Sequence, residues 1–253
     1  MIDIHSHILP GIDDGAKTTI ESIGMAQEAV KQGIHTIIAT PHHQNGQFIN
    51  RRQDIENYVK RLNNTLEKHN IPLKVLVGQE TRINSDMVQE LESDIIATIN
   101  NTNYVFVEFP SSDVPRYAEQ ILFDIQVAGY LPIIVHPERN RQLKENPSIL
   151  FNLVKKGVLT QVTAASLVGN FGKKIQKFSY QLINHNLTHF IASDAHNITT
   201  RGFVMQEAYQ ALRHKFGNEF YYMFLENAQL LIDGQYVYCN EPDRIQKKFF
   251  GIF

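Results

Sequence analysis

The hydrophobic residues of this chain form short continuous runs that alternate with longer segments of mixed polarity. Each run is rich in Val and Ile and is apolar at successive positions, which is typical of strands buried on both faces of a parallel sheet. The seven predicted strands are Ile2–His5, Thr36–Thr40, Leu73–Val77, Tyr104–Phe109, Leu131–Val135, Val158–Thr163 and Phe190–Ala192.

The segments between these runs carry apolar residues at helical spacing. In Arg52–His69, residues Ile55, Val59, Leu62 and Leu66 would lie on one face of a helix. Further helices are predicted at Thr19–Gln32, Tyr117–Ala128 and Pro147–Lys156, each followed by a glycine. Seven strand–helix units predict an α/β fold with a parallel barrel of seven or eight strands, and an open doubly wound sheet is the alternative.

Length and charge restrict the class of protein. The 253 residues are expected to form one domain, 1–253, with a C-terminal extension from about residue 235 that packs on the barrel. The basic and aromatic end, Lys247–Phe253, would dock there too or contact a second copy or another partner. The formal net charge of −2 gives no overall basic field, so a nucleic-acid partner is not expected.

The chain shows no sign of membrane insertion or secretion. No apolar run approaches the roughly 18 residues of a membrane span, and the first residues do not resemble a signal peptide. The single cysteine, Cys239, excludes an internal disulfide. We therefore expect a cytoplasmic protein.

Histidines and acidic residues follow the predicted strands at their C-terminal ends. His5 and His7 are two residues apart on the first strand, so both side chains point to one side and can reach one ion. Candidates at later strand ends are His42, Glu80, Glu108, His136, Asp194 and His196, and the first loop adds Asp13 and Asp14. Parallel barrels build active sites at this end, which predicts one shared site.

The types of ligand indicate the chemistry. A mixture of imidazoles and carboxylates that contains no cysteine suits Mn, Fe or Zn. The number of candidate ligands is sufficient for two or three ions that share a carboxylate. Such clusters activate water and polarise phosphoryl oxygens. Arg139 and Arg201 follow His136 and His196 closely, and guanidinium groups bind phosphate bidentately. The sequence therefore predicts a metal-dependent phosphoesterase.

Cys239 does not fit a thiol-based phosphatase. That chemistry needs a thiolate loop with an arginine six positions later, whereas Arg244 is five positions after Cys239 and no glycine-rich loop follows. We expect Cys239→Ser to keep activity and His136→Ala to abolish it.

These motifs resemble the polymerase and histidinol phosphatase (PHP) family. The similar features are His-x-His at the N-terminus, Pro41-His42, Glu80, His136-Pro137-Glu138-Arg139 and Ser193-Asp194-Ala195-His196. The opening His-Ser-His-Ile-Leu-Pro-Gly-Ile-Asp-Asp-Gly-Ala more specifically resembles the capsule and exopolysaccharide-locus subgroup of bacterial protein tyrosine phosphatases. The resemblance runs from Met1 to about Asn227.

The resemblance implies a distorted (β/α)7 TIM-like barrel with a trinuclear, usually manganese-activated centre. The implied ligand sets are His5, His7, Glu80 and Asp194; Glu80, Glu108 and His136; and Asp14, His42 and His196. Only the family pattern selects Asp14 over Asp13. Arg139 and Arg201 would bind the phosphate. As a separate mechanistic hypothesis, His42 or His196 serves as the leaving-group acid.

The implied substrate is phosphotyrosine on the C-terminal tail of a cognate bacterial tyrosine autokinase that controls capsule or exopolysaccharide synthesis. A metal-activated hydroxide would attack phosphorus. Phe48, Phe109 and Pro110 are candidates for a groove that holds an aromatic ring. The alternatives are a PHP small-molecule phosphatase of the histidinol-phosphate type, a nuclease or proofreading module, and a non-catalytic scaffold. A homo-oligomer is compatible with the sequence.

Overall fold

The computed structural model describes residues 1–246. Its strands are β1 (Ile2–Ser6), β2 (Thr36–Ala39), β3 (His42–His43), β4 (Lys74–Val77), β5 (Glu80–Arg82), β6 (Tyr104–Glu108), β7 (Leu131–Val135), β8 (Leu159–Thr163) and β9 (Phe190–Ala192). Neighbouring strands are parallel, with the orders β1-β2-β4 and β3-β5-β6-β7-β8-β9.

The two sheets form one ring. Strand β3 continues β2 beyond Pro41, and β5 continues β4 beyond a two-residue interruption. The ring closes between β1 and β9, where Ser6 pairs in parallel with Ala195 and the Asp194 amide donates to the His5 carbonyl at 2.9 Å. Counting each interrupted strand once, the predicted distorted (β/α)7 barrel is confirmed, and the closure argues against an open sheet.

The interruption between β4 and β5 depends on Gly78. A Cβ at this position would lie 2.5 Å from Ile38 Cγ2 and 3.1 Å from Ile99 Cδ1. Without a side chain, the backbone passes close to the neighbouring strand before pairing resumes. The Glu80 amide then donates to the Pro41 carbonyl at 3.0 Å, which fixes Glu80 at the start of β5.

Helices follow most strands. They are α1 (Thr19–Lys31), α2 (Arg52–Lys68), α3 (Met87–Glu92), α4 (Ala118–Val127), α5 (Arg141–Glu145), α6 (Pro147–Lys155), α7 (Ala164–Val168), α8 (Lys173–Asn184) and α9 (Met205–Ile232), with 3-10 turns at Ile99–Asn101 and Pro137–Arg139. The four predicted helices correspond to α1, α2, α4 and α6. Helix α9 is broken at Gly217, where φ is 86°. No helix in residues 1–246 is long and apolar enough to cross a membrane.

Alternate strand residues pack into two apolar cores. The outer core, between strands and helices, includes Ile37, Val75, Val107 and Ile134. The inner core fills the barrel with Ile4, Ile38, Phe106, Ile133 and Phe190, and Ala228 and Leu231 from the end of α9 join it. The hydroxyl of Tyr104, the first residue of β6, donates to the Gln235 carbonyl at 2.6 Å. The end of α9 and the following residues therefore cover the N-terminal end of the barrel.

Residues 235–246 contain no helix or strand but remain attached to α9 and to the end of α8. The Tyr238 amide donates to Asn227 Oδ1 at 2.8 Å, and the Asp243 amide donates to the His185 carbonyl at 2.9 Å. The segment Lys247–Phe253, for which docking was predicted, lies outside the described residues. A single domain over 1–253 stays a prediction.

Candidate metal centre

The predicted ligands come together at the C-terminal ends of the strands. Three sets of ligand atoms, each within 4.8 Å of one another, come from His5, His7, Glu80 and Asp194; from His42, Glu80 and Glu108; and from His7, Asp14, His42 and His196. The ninth predicted ligand, His136, places Nε2 2.7 Å from Glu80 Oε1. The structure therefore brings all nine candidates into one cluster.

The first set is built on β1 and on the residues after β9. His5 Nε2 and His7 Nε2 lie 3.3 Å apart, so the two imidazoles converge as their spacing predicts. Glu80 Oε2 lies 3.3 Å from His5 Nε2 and 3.2 Å from His7 Nε2. Asp194 Oδ1 lies 3.5 Å and 3.3 Å from the same two nitrogens. Four ligand atoms thus surround one point.

Glu80 occupies the centre of the cluster. Its side chain is fully buried. Oε2 also lies 3.0 Å from His42 Nδ1, while Oε1 faces His136 Nε2. One carboxylate oxygen therefore faces the first set and His42, and the other faces His136. This position suits a bridging ligand.

The first loop separates the roles of its two aspartates. Asp14 Oδ1 lies 3.4 Å from His42 Nε2 and 3.2 Å from His196 Nε2. Asp13 instead turns inward, where its Oδ2 lies 2.7 Å from His7 Nδ1. The geometry favours Asp14 as a ligand and Asp13 as the partner of a ligand.

One detail differs from the ligand sets implied by the resemblance. His42 belongs to two of the three sets, because its Nδ1 faces Glu80 and lies 3.7 Å from Glu108 Oε2 while its Nε2 faces Asp14. The implied assignment places His136 with Glu80 and Glu108. In the structure, His136 approaches Glu80 at its other oxygen.

Gly15 explains part of the opening motif. A Cβ on Gly15 would lie 2.1 Å from the His7 carbonyl oxygen and 2.5 Å from His7 Cβ. The Gly15 amide donates to Asp13 Oδ1 at 2.8 Å, and the Ala16 amide donates to the His7 carbonyl at 3.1 Å. The loop can fold against His7 and deliver Asp13 and Asp14 only because position 15 lacks a side chain.

Hydrogen bonds on the far ring nitrogens orient the histidines. His5 Nδ1 lies 2.9 Å from Gln161 Oε1, and His196 Nδ1 lies 2.9 Å from the Asp194 carbonyl. An acceptor at Nδ1 places the proton there and leaves the Nε2 lone pair facing the cluster, which is the arrangement of histidine metal ligands. Asp13 has the same role at His7.

The residues present fit a group of cations. Glu80 Oε2, Asp194 Oδ1 and His196 Nε2 are buried and have no hydrogen-bond partner among the described residues. Burial and the charge of Glu80 raise the pKa of the Glu108 carboxyl to about 8. Burial alone would lower the pKa of His42, but Glu80 and Asp14 outweigh it and raise the value to about 10. Buried carboxylates and unpaired atoms that face each other are what bound metal ions satisfy.

Both predicted arginines reach this cluster. Arg139 Nη1 lies 2.7 Å and Arg201 Nη2 lies 3.2 Å from the same atom, Asp194 Oδ2. Arg201 Nη1 also lies 3.4 Å from Asp14 Oδ2. Burial would lower the pKa of the Arg139 guanidinium, but the charge of Asp194 outweighs it and raises the value. Two cationic forks thus stand beside the proposed ligands.

Two site residues have a left-handed backbone. His136 has φ of 38° and Asp194 has φ of 54°, a conformation that costs a non-glycine residue about 1–3 kcal/mol. Buried carboxylates hold the adjoining chain. Asp3 Oδ1 accepts from the Ser193 amide at 2.9 Å, and Glu138 Oε1 accepts from the Thr163 amide at 2.9 Å. Hydrogen bonds in the adjoining chain therefore hold these two residues in their strained conformation.

A cavity of about 370 Å³ opens onto the cluster. Its walls include Phe109, Pro110, Arg139, Phe171 and Arg201. Phe109 and Pro110 thus line it as expected. Phe48 stacks on His42 with ring centroids 6.0 Å apart, but it is not among the lining residues.

Several supporting residues were not identified from the sequence. Gln161 carried a usable signal, because it is a polar residue inside a predicted apolar strand. Arg82, whose Nη2 lies 3.1 Å from Glu108 Oε1, and Phe171 had no such signal. Their roles depend on loops and strand ends that meet only in the folded barrel.

Comparisons with known proteins agree with this geometry. A family model described as "Capsular polysaccharide synthesis, CpsB/CapC" matches residues 1–233. Tyrosine-protein phosphatase YwqE of Bacillus subtilis is 50% identical over 254 residues, covering 100% of both chains. Tyrosine-protein phosphatase CpsB of Streptococcus agalactiae is 31% identical and covers 94% of this chain and 100% of its own.

Solved structures extend the likeness. One from a study of YwqE from Bacillus subtilis and CpsB from Streptococcus pneumoniae, described as unique metal-dependent tyrosine phosphatases, superposes with a TM-score of 0.96 at 50% identity, covering 98% of this chain and 100% of that one. A phosphotriesterase homology protein from Escherichia coli has a TM-score of 0.59 at 12% identity, covering 91% and 98%. The second match concerns the fold alone.

Proposed function

This chain belongs to the capsular polysaccharide synthesis CpsB/CapC family, and we propose that it is a metal-dependent protein-tyrosine phosphatase. The relatives that carry this name match it over almost their full length. The histidines, carboxylates and arginines of the cluster give the activity a chemical basis.

The observation that carries the proposal is the convergence of two arginines on Asp194 beside the ligand cluster. Arg139 and Arg201 reach one carboxylate oxygen from two different loops. A phosphate group is the substrate fragment that two guanidinium forks bind best, because each fork matches two of its oxygens. Such a group would then lie next to the ions.

We assign the metal ligands from the side chains whose nitrogen and oxygen donor atoms lie close to one another. The proposed ligands are His5, His7, Asp14, His42, Glu80, Glu108, His136, Asp194 and His196. Manganese is our first choice, with iron or zinc as alternatives, because imidazoles mixed with carboxylates suit all three. When bound, the ions would polarise the phosphoryl group and lower the pKa of a water molecule that attacks phosphorus.

The side chains of the chain itself would bind the substrate and move a proton. Arg139 and Arg201 would offset the charge on the phosphoryl oxygens in the transition state. His42 or His196 is our candidate for proton donation to the leaving tyrosine oxygen, and the imidazole that donates would not bind an ion at the same time; both place Nε2 within 3.4 Å of the partly exposed Asp14. Gln161 and Asp13 would keep His5 and His7 in the ligand tautomer.

The substrate we propose is phosphotyrosine on the C-terminal tail of a cognate bacterial tyrosine kinase of capsule or exopolysaccharide synthesis. A cytoplasmic location stays a prediction. A histidinol-phosphate type of activity is not favoured, because the full-length relatives are named as tyrosine phosphatases.

The decisive experiment compares substrates and metals together. Metal-free protein is refilled with Mn, Fe, Zn or Mg and assayed on a phosphotyrosine peptide, histidinol phosphate and single-stranded DNA. We expect the peptide to be hydrolysed fastest, with manganese restoring the most activity. His136→Ala should abolish activity. Cys239→Ser should leave it unchanged, because Cys239 is exposed in the segment after α9.

Each alternative has a different result. A preference for histidinol phosphate or DNA would overturn the substrate and leave the metal chemistry intact. Activity that survives complete metal removal but is lost in Cys239→Ser would overturn the metal chemistry itself.

A further inference from the structure

We propose that Phe171 forms an aromatic subsite that recognises the phenyl ring of the substrate. The inference rests on the proposed tyrosine phosphatase function and deepens it, because it names the residue that separates aryl from alkyl phosphates. Phe171 lies between α7 and α8, on the wall of the cavity that opens onto the metal centre.

Folding buries Phe171 only in part. Its side chain is 37% exposed, and it belongs to neither apolar core of the described residues. The exposed part of the ring gains no stability from burial and is accessible to a ligand. Because this part of the ring lies on the wall of the cavity, it can contact a bound substrate.

The loop is shaped to present this side chain. Gly169 and Gly172 flank the residue, and both have φ of 90°, which favours glycine. Helix α7 ends at Gly169, and α8 begins after Gly172. The turn between them holds Phe171 at the rim of the cavity.

Arg139 links Phe171 to the phosphate. Its guanidinium carbon lies 5.6 Å from the centroid of the Phe171 ring, within cation–π range. A phosphate bound by Arg139 would place its ester substituent against the cavity wall that Phe171 forms. A phenyl ring on that phosphate can reach the roughly 4.5–7 Å separation that aromatic pairs prefer. A short alkyl group offers no ring to pair with Phe171.

The cavity supports a ring in a second way. Phe109 and Pro110, which directly follow β6, line the same space as Phe171. These apolar groups stand beside polar atoms of Arg139 and His136. The cavity thus offers charge for a phosphate and apolar surface for a ring, which is the chemistry of an aryl phosphate monoester.

The test separates ring recognition from phosphate binding. Phe171→Leu, Phe171→Tyr and the control Phe123→Leu, an exposed phenylalanine of α4, are compared with the wild-type protein. Calorimetry on the manganese-loaded proteins measures the affinity for phenylphosphonate and methylphosphonate, and kinetics measure kcat/KM on a phosphotyrosine peptide. Phe171→Leu should lose about 10-fold in phenylphosphonate affinity and in kcat/KM, with methylphosphonate affinity changed less than about twofold.

Two controls complete the expectation. Phe171→Tyr keeps the ring and should stay within about threefold of the wild-type protein, and Phe123→Leu should not differ from it. Equal losses for both phosphonates would show that Phe171 serves only to place Arg139 and would overturn the proposal, as would no loss for either. If wild-type protein fails to hydrolyse the peptide, the proposed function fails, while the ratio of the two phosphonate affinities still reports on the aromatic subsite.

Discussion

The two ends of the barrel use the same strands for opposite purposes. At the C-terminal end, buried polar side chains such as His5, Glu80 and Asp194 face one another, and some of their atoms have no hydrogen-bond partner in the described chain. At the N-terminal end, the barrel is filled with apolar side chains such as Ile133 and Phe190 and is covered by the end of α9. Only the second arrangement gains stability from burial.

The boundary between the two ends is narrow. Phe106 belongs to the inner core, whereas Glu108, two residues later on β6, belongs to a ligand set. Val135 is in the inner core, and the next residue, His136, has a strained backbone and contacts Glu80. In each of these strands, only one or two positions therefore separate a residue that stabilises the core from a proposed ligand. Substitutions at the C-terminal end should then leave the stability unchanged, and substitutions at the N-terminal end should leave the catalytic activity unchanged.

Among the substitutions that test this comparison, Glu80→Gln should have the largest effect. Losing the central carboxylate removes charge and a ligand atom from two sets, so kcat/KM on a phosphotyrosine peptide should fall about 10³-fold or more, equivalent to several kcal/mol of transition-state stabilisation. The fold should survive, because Glu80 lies outside both apolar cores. Steady-state kinetics and circular dichroism of the metal-free protein measure the two properties.

A matched carboxylate provides the control. Glu119 is exposed on α4 and pairs with Lys156, so Glu119→Gln should leave both properties unchanged. If Glu80→Gln kept most of the activity, or if it unfolded the metal-free protein, the separation of the two ends would be wrong.

The converse experiment is Leu231→Ala in α9. Leu231 is fully buried in the inner core, and truncation should lower the free energy of unfolding by about 2–5 kcal/mol. Denaturant unfolding of metal-free protein measures this loss. At a temperature where the variant is folded, kcat and KM should stay within about twofold of the wild-type values, since the residue lies at the far end of the barrel. A fall in kcat with normal stability would contradict the comparison.

The sequence predicted the longer strands and four of the helices well. The strands follow the Val- and Ile-rich runs closely, and α1, α2, α4 and α6 each begin and end within one residue of the prediction. The shortest elements were missed. Strands β3 and β5 are two and three residues long and consist mainly of polar residues, so no hydrophobic period identifies them. Their pairing depends on close approaches such as that at Gly78.

The grouping of the proposed ligands was also predictable, because most of them lie at the C-terminal ends of apolar strands. Their detailed partners were not, since these come from distant parts of the chain. Nothing in the sequence places Asp3 against Ser193, or Glu138 against Thr163, although both contacts support strained ligand loops. Without the family resemblance, the choice between Asp13 and Asp14 likewise needs the fold, because it depends on how Gly15 packs against His7.

A histidine near the N-terminal end of the barrel should respond to pH differently from the ligands. His189 is buried just before β9, its Nδ1 accepts from the Thr160 amide at 3.1 Å, and burial lowers its pKa to about 4. The unfolded chain takes up a proton near pH 6.5, whereas the folded protein resists protonation until about pH 4. The contribution of His189 to the free energy of unfolding is therefore fully present above pH 6.5, and it falls by up to about 3 kcal/mol as the pH drops towards 4.

The variant His189→Asn isolates this contribution. Asparagine keeps an acceptor for the Thr160 amide but does not titrate, so its stability should decline less between pH 6.5 and 4.5 than that of the wild-type protein. Urea unfolding of both metal-free proteins across this range makes other titrations cancel. Parallel declines would mean that His189 is not held neutral in the folded protein.

The smallest effect lies at the boundary between the two ends, at Gln161 on β8. Leu159 of the same strand belongs to the inner core, whereas Gln161 Oε1 lies 2.9 Å from Nδ1 of the proposed ligand His5. Gln161→Leu removes this acceptor and should weaken manganese binding about 10–100-fold, as loss of a ligand's hydrogen-bond partner does in other metal sites. Gln161→Glu keeps an acceptor and should bind the metal more tightly than the leucine variant. Titration of metal-free protein with manganese measures both. Equal affinity in all three proteins would show that His5 needs no partner to orient it. Metal binding at the C-terminal end of the barrel would then depend on the proposed ligands alone.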